Sequence, residues 1–138
     1  MRYSTVGFLA LALIVAASAA MPLLAHHSFA AEYDSKQPVT MKGAVTKIEW
    51  MNPHVYFYID VKDDQTGKIQ NWGWEMGAPA VIQRTGWTKN SMKIGDLVIV
   101  EGTRAKGGTN HGNARSVTMA STGKKLGAGS SEGQSPEQ

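Results

Sequence analysis

The sequence predicts an all-β domain, a small five-stranded barrel with one short helix between its third and fourth strands, preceded by a signal-peptide helix. Three observations lead there. The stretch from His54 to Lys62 alternates apolar and polar residues without a fault. Turn signals rich in Asn, Asp, Pro and Gly separate the other short β-type runs. The one helix-like stretch after the leader falls behind the third run.

The leader comes first. Arg2 supplies a positive start, and Val6 to Ala17 is an uncharged apolar run of twelve residues. That length suits the core of a signal peptide and falls short of the roughly 20 residues a membrane span needs. Residues 1–25 therefore read as a signal peptide, with no membrane span once it is cleaved. Two cleavage points compete. Ala17-Ser18-Ala19 fits the small-x-small pattern, while Leu23-Leu24-Ala25 has Pro22 well placed before it. The second is favoured, and it would make His26 the new N-terminus, followed by His27.

Residues 26–38 are polar and mixed and read as an N-terminal arm lying on the domain. Residues 39–51 read as the first strand, whose alternation slips between Val45 and Ile48, so a bulge or bend is expected between Gly43 and Thr46. Asn52-Pro53 marks a turn. In the second strand Val55, Phe57, Ile59 and Val61 share one face, and His54, Tyr56, Tyr58 and Asp60 share the other. Asp63 to Gly67 makes a hairpin loop into a third strand, Ile69 to Met76. There Trp72, Trp74 and Met76 oppose Asn71 and Glu75. Ala78 to Arg84 is the helix, stopped by Gly86, and Trp87 to Ser91 is a connector. Met92 to Asp96 turns into a fourth strand, Leu97 to Arg104. A loop over 106–113 leads to a last strand, 114–120. The domain so defined spans 39–122. Residues 123–138 are rich in Gly, Ser, Gln and Pro and read as a disordered tail.

Three strands, a helix and two strands are the order of the OB-fold, a partly open Greek-key barrel. Its first strand bends to serve both halves, as the slipped alternation here suggests. A small β-sandwich or meander with an incidental helix is the alternative.

Composition narrows the function. With 42% hydrophobic and 18% charged residues the chain has the make-up of a globular domain. Its net charge of +3 is spread out rather than gathered on one segment, which argues against a nucleic-acid partner. The absence of cysteine excludes disulfides, thiolate metal sites and cysteine nucleophiles. No nucleophile elbow, phosphate-binding loop or dinucleotide fingerprint is present, so a binding module is favoured over an enzyme.

Three sets of residues are candidates for a site. The first is an aromatic face with a few polar groups, made of His54, Tyr56, Tyr58, Trp50 and Glu75, suited to a small molecule or a segment of an envelope protein. The second is a copper or zinc site drawing on His26, His27, His54 and His111, because neutral imidazole is a common ligand for these ions. A free amine and imidazole on His26 would chelate together after cleavage at Ala25. The third is a carboxylate paired with a histidine, the carboxylates on strands being Glu49, Asp60, Glu75 and Glu101.

Four segments carry a family resemblance: His26-His27-Ser28-Phe29, Glu49-Trp50-Met51-Asn52-Pro53-His54, Trp72-Gly73-Trp74-Glu75-Met76-Gly77 and Gly112-Asn113-Ala114-Arg115-Ser116. By these the chain resembles an uncharacterised family of small exported bacterial proteins, a domain of unknown function, from about His26 to Leu126. The resemblance implies a periplasmic or secreted protein of a Gram-negative bacterium. It brings no activity, ligand or catalytic residue with it.

Overall fold

A computed structural model of the chain describes residues 29–132. The signal peptide expected over 1–25, its two cleavage points, His26, His27 and residues 133–138 lie outside the described residues. The fold is mostly β. It opens with a one-turn helix, α1 (Phe29–Glu32), and continues through β1 (Tyr33–Glu49), β2 (Tyr56–Lys62) and β3 (Ile69–Glu75). A second short helix, α2 (Pro79–Gln83), precedes β4 (Leu97–Ala105), β5 (His111–Met119) and β6 (Lys125–Gly127). No helix among the described residues is long and apolar enough to cross a membrane.

The sheet runs in the order β3-β2-β1-β4-β5-β6 and closes on itself through a further pairing of β3 with β5. Five strands thus form a ring, with β6 appended outside β5. All pairs are antiparallel except β3 with β5, which is parallel. The long β1 makes closure possible. Residues 38–44 pair with β4 and residues 44–49 pair with β2. Between these halves Thr46 is extra, a bulge opposite the Ile59–Tyr58 step of β2. Such a bulge bends the strand and sharpens its twist. It also explains the slipped alternation: Val45 and Ile48 both reach the inside of the ring only because one residue is skipped.

Inside the ring stand Val45, Phe57, Ile59, Trp72, Trp74, Val98, Val100, Ala114 and Val117, all buried. The two tryptophans stack with centroids 6.3 Å apart. Gly112 and Gly102 admit the ring of Trp74, since a Cβ on either would stand less than 3 Å from its Cζ3. The indole Nε1 of Trp74 is buried without a hydrogen-bond partner among the described residues. One end of the ring is plugged by Met76, Ile82 of α2, Trp87, Met92, Leu126 and Ala128. Burying Ile82 alone is worth about 1.5–3 kcal/mol relative to leaving it in water. Helix α2 starts at Pro79, whose missing N–H costs nothing there, and its Ile82 carbonyl accepts from the Thr85 hydroxyl at 2.8 Å.

Three expectations need correction. The arm expected over 26–38 contains a helical turn and the start of β1, which begins at Tyr33 rather than at residue 39. The loop expected over 106–113 is shorter, because β5 begins at His111 and pairs there with β3. Trp87, at the head of the connector to β4, is buried in the core, and its Nε1 donates to the Gly127 carbonyl at 2.9 Å. The segment from 123 to 132 is not a disordered tail. It adds β6 to β5 and buries Leu126 and Ala128, making six strands where five were expected.

Candidate functional site

The outward faces of β2 and β3 are set by their register. Tyr56 stands opposite Glu75, Tyr58 opposite Gly73 and Asp60 opposite Asn71. On the other side of β2, Glu49 of β1 pairs with Tyr56 and Lys47 with Tyr58. Because Phe57 and Ile59 point into the core, Tyr56 and Tyr58 must point away from it. The closing pair of β3 and β5 adds His111, directly beside Gly73. A Cβ on Gly73 would lie 2.9 Å from His111 Nδ1 and 3.1 Å from Tyr58 Cε1, so the absent side chain is what lets both rings lean over the strand.

Glu75 is the centre of this face. Although it points outward, it is only 7% exposed. The hydroxyl of Tyr33 donates to its Oε2 at 2.8 Å and the hydroxyl of Tyr56 donates to the same oxygen at 3.2 Å. His54 Nδ1 lies 3.1 Å from Oε1. No lysine or arginine meets this carboxylate among the described residues. Tyr33, 3% exposed, is itself 3.3 Å from His111 Nε2 and stacks on that ring at 6.2 Å. Phe29 packs on Tyr33 from α1, centroids 5.2 Å apart.

The protons follow from counting. Tyr33 has one hydroxyl hydrogen, and it goes to Glu75, so its contact with His111 requires the proton on His111 Nε2. A hydrogen bond from His54 Nδ1 to Glu75 leaves its Nε2 unused among the described residues, on a side chain that is 41% exposed. The surroundings hold the phenols protonated. Burial, then the Glu75 charge, pushes Tyr56 up to about 12. Burial, then the hydrogen bond to Glu75, pushes Tyr33 far above its ordinary 10. Burial lowers His111 below its ordinary 6.5 and outweighs the opposing pull of Glu75 and Glu32. The result is two protonated phenols and the His54 imidazole converging on one shielded carboxyl group.

Of the expected ligand-binding residues, His54, Tyr56 and Glu75 come together in this network. Tyr58 belongs to a neighbouring, more open group. It donates to Glu49 Oε2 at 3.0 Å and lies under the Lys47 ammonium, 5.2 Å from its ring centre. Trp50 is elsewhere. It is half-buried against the core beside Ile48, Val55, Met76 and Trp87. Among the expected metal ligands, His54 and His111 share Glu75 as a neighbour, but His111 reaches it only through Tyr33. Among the described residues no group of three or more His, Asp or Glu is arranged to hold a metal ion. Of the carboxylates considered for a histidine partner, Glu75 has one. Asp60 accepts from Asn71, and Glu101 accepts from Ser116 and from Lys125.

Tyr33 and Phe29 were not among the sequence candidates. Their sequence signals are a spacing of four between two aromatic residues in a mostly polar arm and, for Phe29, its place in the His26-His27-Ser28-Phe29 segment.

No curated protein and no solved structure matches the chain. A family model does match it, over residues 13–115. That span covers β1 to β4 and the first half of β5, and with them every residue of the Glu75 network. The chain therefore belongs to the family of unknown function DUF6152.

Proposed function

We propose that the protein is an exported, periplasmic or secreted binding module without enzymatic activity, built as an OB-fold-like barrel. It takes a small ligand or a segment of a protein partner on the outward face of β2 and β3. The observation that carries this reading is the Glu75 network, an outward carboxylate already surrounded by fixed hydroxyl and imidazole donors. Sites of this kind work by having a few polar groups positioned before the ligand arrives. The barrel reading is supported by the five-strand ring and by a β1 that serves both halves. Export is supported by the apolar leader from Val6 to Ala17.

Titration of the mature protein against a ligand library, read by thermal shift, tests the face. Binding should weaken at least about tenfold in Tyr56→Ala or Tyr58→Ala, as expected for losing an aromatic contact with its hydrogen bond. A ligand that binds and is indifferent to both substitutions places the site elsewhere. Cell fractionation with N-terminal sequencing tests export and selects between Ala19 and Ala25.

One observation favours a second reading, in which the protein binds copper or zinc with His26 at the mature N-terminus. Glu75 meets His54 at Nδ1 and leaves Nε2 outward, the way a carboxylate commonly orients a metal-ligating imidazole. Metal analysis of the exported protein tests it. Stoichiometric metal that is lost when one residue is added before His26 supports the reading, and a metal-free protein without micromolar copper affinity refutes it.

A further inference from the structure

Tyr33 sits on the Glu75 face as a ligand would. Its ring stacks on His111 of β5, its hydroxyl donates to Glu75 of β3, and it is almost wholly buried. The segment that carries it is joined loosely to the rest. Tyr33 pairs with Ala105 and Pro38 with Thr103, so residues 34–37 stand opposite Arg104 alone. Two hydrogen bonds fall within these four residues, Lys36 N donating to Asp34 Oδ1 and Gln37 Nε2 to Asp34 Oδ2, both at 3.0 Å. A cleft of about 540 Å³ runs along them, lined by Tyr33, Ser35, Lys36, Lys106 and Glu132 among others. Lys106 also meets α1, its N–H donating to the Glu32 carbonyl at 2.9 Å and its ammonium to the Ala30 carbonyl.

We propose that the Glu75 face is a receptor for a hydroxyl-bearing aromatic ring, and that Tyr33 is its built-in occupant, carried on a strap that such a ligand displaces. This rests on the binding-module reading and names the ligand class for it. The chemistry is selective. Glu75 requires a hydrogen-bond donor and repels an anion. His111 offers the ring surface on which Tyr33 stacks, and Tyr56 backs that imidazole, their centroids 6.1 Å apart. A phenol that replaces Tyr33 remakes both contacts, so no buried donor or acceptor is stranded by the exchange. Its apparent affinity is then set by how often the strap is off. The phenol arrives either as a free small molecule or as a tyrosine side chain of a peptide.

The test uses p-cresol and N-acetyl-tyrosinamide as probes, with toluene as the hydroxyl-free control, on the mature protein. Calorimetry reads affinity, and amide NMR of Phe29–Glu32 reads the strap. Both phenols are expected to shift those amides in the wild type. Tyr33→Phe keeps the ring but removes the donor to a charged acceptor, and should bind phenol at least about tenfold tighter because its strap is released more often. Adding Glu75→Gln to it should cancel that gain. Tyr33→Ala, checked for folding by its melting curve, should be raised in melting temperature by p-cresol. Preference for p-cresol assigns a small phenol, and equal or tighter tyrosinamide binding assigns a peptide tyrosine. Toluene binding as well as p-cresol overturns the proposal, as does failure of both phenols to bind Tyr33→Phe and Tyr33→Ala. If phenols fail while another ligand still depends on Tyr58, the strap inference falls and the broader binding reading stands.

Discussion

The Tyr33–Glu75 hydrogen bond should be measurable as a coupling energy in the free protein. Tyr33 and Glu75 are 42 residues apart, and their contact is 2.8 Å long, buried, and made to a carboxylate that no lysine or arginine meets among the described residues. Hydrogen bonds to charged groups contribute about 1.5–3 kcal/mol each. Tyr33→Phe removes one donor but leaves Glu75 with Tyr56 and His54, so a loss of about 1.5–2 kcal/mol is expected. Glu75→Gln keeps an oxygen but turns an amide N–H₂ toward one of three donors, and should cost about 2–3 kcal/mol. The double variant should then be less destabilised than the sum by about 1 kcal/mol or more, because Tyr33→Phe removes the shared bond and Glu75→Gln already removes the charge that strengthens it. Urea unfolding followed by tryptophan fluorescence suits the measurement, since Trp72, Trp74 and Trp87 are buried and report on the core. Effects that add to within about 0.3–0.5 kcal/mol would mean that the bond contributes nothing beyond its parts, and the reasoning about a preorganised carboxylate would be refuted.

Three other outcomes are expected. His111 is depressed by burial, so its contribution to stability is intact above its ordinary 6.5 and drains away as pH falls from there through the depressed folded value. His111→Gln should flatten that acid limb in melting temperature against pH. The phenol of Tyr56 is raised from 10 to about 12, so stability should fall as pH rises from 10 through 12, and Tyr56→Phe should blunt the fall. Ending the chain after Thr122 removes Leu126 and Ala128 from the core and strands the Trp87 Nε1 donor. It should cost about 3–5 kcal/mol from lost burial and an unpaired donor, and urea midpoints within experimental error of the full chain would show β6 to be dispensable.

How much of this was legible depends on what each segment packs against. Strand β2 was plain in the sequence because one of its faces is wholly inside the ring, which enforces alternation from Phe57 to Val61. The start of β1 was hidden because Ser35 to Pro38 are exposed on both faces and interrupted by an irregular stretch, so no period survives. Strand β6 was hidden by composition. Three residues among glycines and lysines carry no pattern, and the single buried Leu126 looks like chance. Trp50 was misplaced by parity. The bulge at Thr46 sets Lys47 and Glu49 outward and Ile48 inward, and Trp50 continues on the side of Ile48. Glu75 was readable as an outward residue beside Tyr56, but its burial was not, because the side chain that covers it comes from an arm that alternation could not place.

Closure of the ring and construction of the site are one event. The parallel pairing sets Gly73 against His111, Trp74 against Gly112 and Glu75 against Asn113. The same register sends Trp74 inward through the gap left by Gly112 and holds Glu75 outward under Tyr33. A slip of one residue in β3 would turn Glu75 into the core and Trp74 out to solvent, since neighbours on a strand face opposite ways. The apolar core therefore enforces the geometry of the carboxylate without touching it. The cost of breaking this seam includes the burial of Trp74, about 4–6 kcal/mol for a ring of this size, against about 1.5–3 kcal/mol for a hydrogen bond at Glu75. Within that fixed frame the Tyr33 strap is the weakly held part, joined through an irregular stretch and a few contacts. Any response of this face to a ligand must then come from the arm moving off a rigid β3–β5 seam, and not from the seam opening.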